Sequence, residues 1–467
     1  MFTKYKENYS EALVLAAGEG SRLRKHARQK VLQPIAKIPL LGRILQGLKE
    51  AGIKKVHIVV GYEGHNIREE IGKTYCGLEI NYITARNWEK GNLYSFMAAK
   101  GIFRKEFILC MGDHIFDPQL VKSLMNASVE DVLVLATDRI SHSHDDTKVL
   151  EKDGEILSIG KKIDSWNCID TGFFLCSPRM FDFGAKEMEA GASELADCVR
   201  LVATNGYARV VDITGKHWVD VDTRRDVERA KKLVANHSQK KRGPSDFVAH
   251  YINRPIENKI VYLISDSRIT PNQITILSNV MAYAVTALFL FGHLLTGAIL
   301  TFVVGIVDGL DGKLARTRGC STKLGLMEHV FDLLYEFSWL IALAFFLSQS
   351  QNSMPLVLTI CSITFIAFYR FCYDQFGRAM GVSLDVYGRF ERAFRRVAGR
   401  RNIYNIYILV GVLLGVPLYS LIGILFHSAL TAVVYAYRAA VHLHAADKTT
   451  NIGNPLPLPD SNSEKSL

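Results

Sequence analysis

The chain has 467 residues, of which 49% are hydrophobic and 22% are charged, and its mean hydropathy is +0.10. A chain that is disordered throughout is excluded, since it would be poorer in apolar residues and richer in charge. Soluble enzymes usually have a negative mean hydropathy, so we expect part of the chain to lie in lipid. The net charge of +10 is compatible with a membrane surface, a phosphorylated substrate or a nucleic acid.

The first half of the chain has the pattern of an α/β domain. Residues 1 to about 235 alternate short apolar runs with amphipathic stretches, such as the predicted helix at 40–52. This alternation is typical of a Rossmann-like, mostly parallel sheet with helices on both faces. The predicted strands are 12–17, 55–61, 107–112, 131–137 and 171–177.

The second half has the pattern of an all-helical membrane domain. The basic segment 237–244, which contains Gly and Pro, is predicted to be a linker. The amphipathic stretch 247–264 is too polar to span a bilayer. A span needs ~20 apolar residues, and six segments approach that length: 274–291, 294–309, 326–347, 354–372, 403–418 and 420–441. The predicted division of the chain is 1–236 (cytosolic domain), 237–270 (linker and juxtamembrane segment), 271–446 (six-helix transmembrane domain) and 447–467 (disordered tail).

The charges between the apolar segments predict their orientation. Three connecting loops on one side contain no Lys or Arg, whereas the opposite side carries Lys313, Arg318 and the arginine-rich run 389–401. The positive-inside rule therefore predicts a multi-pass cell-membrane protein with its N-terminal domain and C-terminus in the cytosol. The basic residues lie beside the spans rather than on a soluble face with interleaved aromatic residues, so we expect no nucleic-acid partner.

A glycine-rich turn follows the first predicted strand. Between a strand and a helix, such a turn lets backbone N–H groups approach a phosphate or a base closely. Lys30 and the pairs 61–62 (Gly-Tyr) and 112–113 (Gly-Asp) follow, and the last two come directly after predicted strands. The carboxyl edge of an open α/β sheet is where ligands bind, so we expect these residues in one site. The turn itself is Leu15, Ala16, Ala17, Gly18, Glu19, Gly20, Ser21, Arg22 and Leu23.

Together these motifs resemble the sugar-phosphate nucleotidyltransferase family over most of the first half. The pattern LAAGxGxRL followed by a lysine is specific, although Gln29 stands where the family often has proline. The resemblance is closest to inositol-1-phosphate cytidylyltransferases, and it implies that CTP and an alcohol phosphate are substrates. The segments that carry it are MGDHIF (111–116), IGKKI (159–163), IDTGFF (169–174) and WVDVDT (218–223).

The chemistry of nucleotidyl transfer indicates roles for these residues. Negative charge accumulates on the triphosphate, and the site must neutralise it. Arg22 and Lys30 are the candidate catalytic residues that contact the phosphates, and the candidate Mg²⁺ ligands are Asp113, Asp220 and Asp222. Lys161 or Lys162 is a candidate for the acceptor's phosphate. The predicted nucleotide- and substrate-binding residues of this domain are Leu15, Ala16, Ala17, Gly18, Gly20, Lys30, Gly112, Asp113 and Lys162.

The second predicted span ends in two carboxylates, Asp308 and Asp311, followed by Gly312 and Arg316. Carboxylates three residues apart share a helix face, and inside a membrane span they require a cation or a cavity. The pattern resembles the CDP-alcohol phosphotransferase motif DxxDGxxAR…G…D…D. That resemblance implies four aspartates that bind two divalent metals around a CDP-alcohol, which suits displacement at phosphorus, and it makes Gly312 and Arg316 candidate substrate-binding residues.

The second half of this motif departs from the family pattern. After Gly325 the family spacing requires aspartates at 329 and 333, where this chain has His329 and Leu333. Glu328 and Asp332 lie one residue earlier and on the same helix face as His329. Three alternatives follow. Glu328 and Asp332 replace the aspartates as metal ligands and catalytic residues, His329 is a ligand and shifts the preference from Mg²⁺ to Mn²⁺ or Zn²⁺, or transfer activity is lost.

The two resemblances together predict a bifunctional enzyme, similar to enzymes that make CDP-inositol and then di-myo-inositol phosphate phosphate. CTP and inositol-1-phosphate give CDP-inositol and pyrophosphate, and the phospho-inositol group then passes to inositol-1-phosphate with release of CMP. One alternative is a CDP-polyol or CDP-choline-like intermediate with a lipid or polyol acceptor. Another is an active cytidylyltransferase on a non-catalytic membrane anchor. We expect Mg²⁺, or Mn²⁺ in its place, in both domains, and the family implies a homodimer in the lipid bilayer.

Overall fold

The structure, a computed structural model, describes residues 9–20, 29–127, 131–140, 146–238, 245–320 and 322–450. The chain forms two compact units that divide between Val234 and Ala235. The first unit is α/β, and the second is helical throughout its described residues. An α/β half fused to an all-helical half is the fold class that the sequence predicts.

The strands of the first unit include all five predicted ones, each within three residues of its predicted ends. The strands are β1 (Glu11–Ala16), β2 (Pro34–Ile35), β3 (Ile38–Pro39), β4 (Lys55–Val60), β5 (Thr74–Tyr75), β6 (Leu78–Thr84), β7 (Phe107–Met111), β8 (His114–Phe116), β9 (Leu133–Asp138), β10 (Lys148–Lys152), β11 (Glu155–Gly160), β12 (Cys168–Cys176), β13 (Ala208–Asp212) and β14 (Trp218–Asp220). The helices are α1 (Leu40–Ala51), α2 (Gly64–Ile71), α3 (Asn92–Met97), α4 (Pro118–Met125), α5 (Met180–Glu189), α6 (Leu195–Thr204) and α7 (Arg224–His237).

Ten of these strands form one sheet in the order β10-β11-β13-β9-β12-β7-β1-β4-β6-β5. The segment β7-β1-β4-β6 is parallel, with Leu15 opposite Val59 on one side and Met111 on the other. However, β12 is antiparallel to both of its neighbours, β7 and β9. The pairs β10–β11 and β5–β6 are also antiparallel. The prediction of a mostly parallel sheet is therefore corrected to a mixed sheet, because a strand buried on both faces is equally apolar in either direction.

Both faces of the sheet are covered, as predicted. Successive residues of a strand point to opposite faces, and Val14 and Leu15 of β1 accordingly belong to two different apolar cores. The core on one face contains Leu41, Leu45 and other residues of α1. The core on the other face contains Phe96 of α3 and residues of α5 and α6. The carboxyl ends of the parallel strands are thus held by packing from both sides.

The described part of the second unit contains a π-helical turn at Ala249–Asn253, a 3-10 turn at Leu324–Leu326 and a set of α-helices. Its longer helices pack as a bundle in which α10 contacts α8, α9 and α15, and α12 contacts α16. Helix α9 starts at a capping box made by Thr270 and Gln273. The helices are α8 (Arg254–Ile264), α9 (Pro271–Leu290), α10 (Leu294–Thr317), α11 (Glu328–Gln351), α12 (Met354–Met380), α13 (Leu384–Tyr387), α14 (Arg389–Phe394), α15 (Arg401–Leu413) and α16 (Pro417–Thr450).

Five helices in the described part of the chain are long and apolar enough to cross a membrane, namely α9, α10, α11, α12 and α16. The sixth predicted segment, 403–418, forms the 13-residue helix α15. Its length of ~20 Å falls short of the ~30 Å hydrocarbon core of a bilayer. The apolar run continues past Leu413, but Gly415 has a φ of 72° and Pro417 starts α16, so the backbone turns before the run ends.

The core between the sheet and α3 predicts how the first unit responds to mutation. Phe96 is fully buried and stacks on Phe181 of α5 with ring centroids 4.5 Å apart. Phe96→Ala should lower the free energy of unfolding by about 3–5 kcal/mol, because it removes buried area and leaves a cavity. Urea denaturation of the detergent-solubilised chain, followed by tryptophan fluorescence, measures the change. Leu157→Ala is the control, since Leu157 is 56% exposed and its truncation should change that energy by less than about 0.5 kcal/mol.

Candidate active sites

The glycine-rich turn meets the ends of two further parallel strands. The Ala17 carbonyl oxygen accepts a hydrogen bond from the Tyr62 N–H at 3.0 Å, and the Leu15 carbonyl oxygen accepts one from the Gly112 N–H at 2.9 Å. A Cβ atom on Gly112 would lie 2.7 Å from the Leu15 oxygen, so glycine is required for this approach. The carboxyl ends of β1, β4 and β7 therefore converge beside the turn.

The glycine-rich turn passes next to the side chain of Lys30. Gly20 has a φ of 64°, and a side chain there would overlap the Lys30 side chain, so the backbone passes directly against this lysine. The predicted catalytic residue Arg22 lies outside the described residues. Leu15, Ala16, Ala17 and Gly18 occupy the end of β1 and the turn itself.

Lys30 lies at the centre of a carboxylate cluster. Its Nζ donates to Asp113 Oδ2 at 2.6 Å and to Asp222 Oδ1 at 2.5 Å, and lies 3.8 Å from Asp220 Oδ1. The lysine is 9% exposed, whereas the side chains of the three carboxylates are 29% to 41% exposed. Antiparallel pairing of β14 with β8 sets Asp220 opposite His114, which explains how residues far apart in sequence meet. The four predicted residues Lys30, Asp113, Asp220 and Asp222 are thus brought together.

Sequence reasoning missed His114 as a member of this site. Its Nδ1 lies 2.6 Å from Asp113 Oδ1 and 3.7 Å from Asp220 Oδ1. The imidazole ring stacks on Trp218, with an interplanar angle of 7° and centroids 5.8 Å apart. The signal in the sequence was a histidine next to Asp113 in MGDHIF, but its partners come from a separate strand.

The charges of the cluster shift one another's pKa values. Burial opposes ionisation of Lys30, but Asp113 and Asp220 outweigh it and raise the pKa of Lys30 above its ordinary value. Burial likewise lowers the pKa of His114, yet the same carboxylates raise it to about 9. Burial would raise the pKa of Asp113, but His114 and Lys30 hold it below its usual range. The pKa of Asp220 is raised to about 6, chiefly by burial.

The donor set of this cluster fits a divalent cation. One ligand atom each from Asp113, His114 and Asp220 lie within 4.8 Å of one another. Asp220 Oδ1 is buried and has no hydrogen-bond partner among the residues described, and a bound cation would satisfy it. Carboxylate oxygens suit Mg²⁺, and the imidazole nitrogen also suits Mn²⁺.

Two residues from the other predicted segments lie apart from this cluster or near its edge. Lys162 is exposed in the turn after β11, and the described contacts do not join it to the cluster. Asp170, which sequence reasoning did not single out, accepts a hydrogen bond from the Gly172 N–H at 2.7 Å. Burial raises the pKa of Asp170 to about 6, against the opposing effect of His114.

The second unit holds a separate carboxylate cluster at the end of α10. Asp308 and Asp311 lie one helical turn apart and are 9% and 3% exposed. Asp311 accepts hydrogen bonds from Thr275 Oγ1 of α9, at 2.5 Å, and from the Gly312 N–H. Asp308 Oδ2 accepts a hydrogen bond from Arg401 Nη2 of α15 at 2.6 Å.

Asp332 of α11 joins this cluster. Its Oδ1 lies 3.5 Å from Arg401 Nη1 and accepts a hydrogen bond from the Tyr335 hydroxyl at 2.8 Å. Arg401 therefore lies between Asp308 and Asp332; sequence reasoning placed it in the basic run 389–401 and did not predict these contacts. Glu328 begins α11, but its side chain and that of His329 lie outside the description, so their roles remain predictions.

The remaining motif residues lie near the same end of α10. Arg316 is exposed, and its Nε donates to the Ser238 carbonyl oxygen at 3.1 Å. Lys313 is buried and donates to Asn258 Oδ1, and its Nζ lies 3.7 Å from Glu257 Oε2 of α8. These contacts tie α10 to the juxtamembrane helix α8. Three carboxylates, Asp308, Asp311 and Asp332, lie at this end of α10, and Arg401 contacts two of them.

Comparison with known proteins gives matches for both units. Residues 12–156 match the MobA-like NTP transferase domain, and residues 268–433 match the CDP-alcohol phosphatidyltransferase family. A bifunctional IPC transferase and DIPP synthase of Aquifex aeolicus is 32% identical over 356 residues, which cover 74% of this chain and 79% of that protein. The protein of the same name from Archaeoglobus fulgidus is 27% identical over 86% of this chain and 78% of its own length. The solved inositol-1-phosphate CTP transferase from T. maritima is 26% identical, with a TM-score of 0.43, and covers 47% of this chain and 91% of that one.

The raised pKa of His114 predicts how stability depends on pH in the absence of metal. Folding raises this pKa from 6.5 to about 9, so the stabilising contribution is complete below pH 6.5 and is lost as the pH rises through 9. Urea denaturation in EDTA should therefore show a free energy of unfolding that falls between pH 6.5 and 9. At pH 6.5 the His114→Gln variant should have a lower free energy of unfolding than the wild type. This free energy should not decrease in the variant between pH 6.5 and 9. An equal fall in wild type and variant would contradict an imidazolium bound by these carboxylates.

Proposed function

Because the chain belongs to the family of bifunctional IPC transferases and DIPP synthases, we propose that it carries out two successive reactions. In the first, CTP and inositol-1-phosphate give CDP-inositol and pyrophosphate. In the second, the phospho-inositol group of CDP-inositol passes to inositol-1-phosphate, and CMP is released. The observation that carries the proposal is the Lys30 cluster, which combines an ammonium group and three carboxylates next to the glycine-rich turn.

The first reaction is a displacement at the α-phosphorus of CTP. An oxygen of the inositol phosphate forms the new bond to phosphorus, and the bond to the β-phosphate oxygen breaks, so pyrophosphate leaves with the electron pair. The attacking oxygen is already ionised near neutral pH and needs no general base. Lys30 stabilises the negative charge that develops on the triphosphate, and in this proposal Arg22 assists it. The backbone N–H groups of the turn hold the phosphates or the base.

We assign a divalent cation, Mg²⁺ or Mn²⁺, to the carboxylates Asp113 and Asp220, with Asp222 as a further ligand. When bound, such a cation supplies positive charge to the reacting phosphates and orients them. Asp113 is ionised over the whole physiological range because its pKa lies below the usual value. His114 holds one oxygen of Asp113 at 2.6 Å and so fixes the orientation of that carboxylate. Lys162 is assigned to the acceptor's phosphate by family resemblance alone.

The second reaction is a displacement at the phosphorus that carries the inositol. The bond to the CMP oxygen breaks, a bond to the acceptor's hydroxyl oxygen forms, and the hydroxyl proton passes to a carboxylate. We assign that base role to Asp332, with Glu328 as a further catalytic residue and metal ligand. Asp308 and Asp311 are assigned as ligands of a divalent cation at this centre, and Gly312 and Arg316 as substrate-binding residues.

The proposed membrane arrangement places the first unit and the C-terminus on the cytosolic side. An even number of crossings is required to bring both ends of the second unit to one side, so α15 is counted as the sixth crossing. Its 13 residues are short for a span, but contacts with α10 and α16 bury part of its surface. The charge asymmetry of the loops supports this topology. We also propose that the segments of the chain divide at residues 236, 270 and 446, and that the protein is a homodimer.

Lys30→Ala tests the first reaction. Detergent-purified protein is incubated with CTP, Mg²⁺ and inositol-1-phosphate, and pyrophosphate, CDP-inositol and CMP are followed. The variant should form pyrophosphate about 10²–10³-fold more slowly, because a positive charge aimed at the developing negative charge is lost. Lys100→Ala is the control, since Lys100 is exposed. If wild-type protein forms no pyrophosphate from this pair of substrates, the proposed substrates are wrong.

Asp308→Asn combined with Asp311→Asn tests the second reaction in the same assay. Pyrophosphate and CDP-inositol should form at the wild-type rate, whereas CMP release should fall by at least about 10²-fold, because the cation site loses both carboxylates. CDP-inositol should therefore accumulate. CMP release that survives both substitutions would contradict the carboxylate site. Wild-type protein that makes CDP-inositol but no CMP would favour a non-catalytic membrane anchor.

A further inference from the structure

Gln29 has a buried side-chain amide of which only one end is paired among the described residues. The residue directly precedes Lys30 and is 6% exposed. Its amide nitrogen, Nε2, donates a hydrogen bond to the Tyr62 carbonyl oxygen at 2.6 Å. Its amide oxygen, Oε1, is buried and has no hydrogen-bond partner in the described part of the chain. A buried acceptor without a partner costs free energy, so this oxygen indicates a place for a ligand that donates a hydrogen bond.

The contact with Tyr62 fixes the orientation of the Gln29 amide. A carbonyl oxygen can only accept a hydrogen bond, so the nitrogen end of the amide faces Tyr62 and the oxygen end faces away from it. Tyr62 is held in turn, because its N–H donates to the Ala17 carbonyl oxygen at 3.0 Å. Gln29 precedes the 3-10 turn Lys30–Leu32, but its side chain makes no capping hydrogen bond to that turn. Helix capping therefore does not account for the position of Oε1.

Gln29 and Lys30 reach toward opposite sides of β1. Lys30 Nζ lies 2.6 Å from Asp113 Oδ2, and Asp113 follows β7, which pairs with β1 on one side. Gln29 contacts Tyr62, which follows β4, and β4 pairs with β1 on the other side. Two strands that flank a third lie about 10 Å apart, and the glycine-rich turn lies between them. A nucleotide whose phosphates contact Lys30 can therefore place its base at the end of β4, beside Gln29.

The end of β4 also carries aromatic rings that suit a base. The Trp88 ring packs directly against Gly61, where a Cβ atom would lie 2.5 Å from the ring. Tyr62 meets Trp88 edge to face, with ring centroids 5.8 Å apart and an interplanar angle of 69°, and both rings are half-buried. Aromatic side chains stack on any base, because every base has a π-face. Discrimination between pyrimidines requires a polar group such as Gln29 Oε1.

The two pyrimidine nucleotides differ in the group at C4 of the base. Cytosine has an amino group, which donates a hydrogen bond, whereas uracil has a keto oxygen, which accepts one. The Gln29 Oε1 atom can only accept, so it pairs with the amino group and repels the keto oxygen. Gln29 stands where the nucleotidyltransferase family often has proline, whose side chain can neither donate nor accept. The contact is therefore a property of this chain's own sequence.

We infer that Gln29 Oε1 accepts a hydrogen bond from the 4-amino group of cytosine and makes the first centre prefer CTP to UTP. The inference rests on the proposed first reaction, because it names the group that selects the nucleotide for that reaction. Gln29 is a specificity-determining residue that contacts the base, whereas Lys30 contacts the phosphates. The Tyr62 carbonyl group positions the amide so that only a hydrogen-bond acceptor faces the base.

Nucleotide preference tests the inference. Pyrophosphate release by the detergent-purified full chain, with Mg²⁺ and inositol-1-phosphate, gives kcat/KM for CTP, for UTP and for the triphosphate of the pyrimidin-2-one ribonucleoside, which is CTP without its amino group. Wild-type protein should use CTP at least about tenfold more efficiently than either of the others, as expected when a buried polar group is left unpaired. Gln29→Met keeps the length of the side chain and should bring both ratios close to one. Gln119→Met is the matched control and should keep both ratios, since Gln119 is exposed on α4.

The ratios separate a role in specificity from a role in folding. A purely structural defect would lower kcat/KM for the three nucleotides by the same factor, so unchanged ratios in an active Gln29→Met variant would overturn the inference. Gln29→Leu is a second variant with the same expectation, in case the methionine variant does not fold. Equal use of CTP and its amino-free analogue by wild-type protein would also overturn the inference, without any variant.

Calorimetric titration of the same nucleotides without inositol-1-phosphate separates the inference from the proposed function. Wild-type protein should bind CTP at least about tenfold more tightly than UTP, and Gln29→Met should lose this difference. If the wild type shows this preference but releases no pyrophosphate with inositol-1-phosphate, the proposed acceptor is wrong and the role of Gln29 is supported. Equal binding of CTP and UTP by wild-type protein would contradict the role of Gln29.

Discussion

The need to neutralise clustered carboxylates determines the form of both candidate sites. Two carboxylates about 4 Å apart repel each other by about 4 kcal/mol at the effective dielectric of a partly buried site. In the first unit the Lys30 ammonium lies among three of them, 2.5 to 3.8 Å from their oxygens. In the second unit the Arg401 guanidinium bridges Asp308 and Asp332. Strand register and helix packing bring the carboxylates together, and a protein cation makes each arrangement tolerable.

Much of the first site follows from local sequence. A buried strand that runs into glycines predicts both the strand and the turn, and the carboxyl edge of the sheet predicts where Lys30 and Asp113 meet. The role of His114 did not follow, because its neighbours Asp220 and Trp218 belong to β14, and pairing between β8 and β14 depends on the whole fold. The antiparallel direction of β12 was also not predicted, because the sequence of a strand that is buried on both faces does not indicate whether the strand is parallel or antiparallel to its neighbours.

The second site was less accessible to sequence reasoning. Asp308 and Asp311 form a local pattern on one helix and were readily identified. The contribution of Asp332 depended on a one-residue departure from the family spacing, and it is the contact with Arg401 that unites it with Asp308. Arg401 lies 93 residues beyond Asp308 within a run of arginines that the positive-inside rule already explains. Because the positive-inside rule already accounts for these arginines, the sequence did not indicate that Arg401 contacts the carboxylates of the candidate site.

The two protein cations differ in a way that matches the two reactions. Lys30 has a flexible four-carbon stem, so its ammonium can turn from Asp222 to a phosphate without disturbing the fold. Arg401 is stacked on Tyr335 and its neighbours are anchored to Asp246, so it cannot turn without losing several contacts. CTP brings a triphosphate, whereas a CDP-alcohol brings only a diphosphate and requires less compensating charge. An exchangeable cation suits the site that takes the triphosphate, and a fixed cation suits the site that takes the diphosphate.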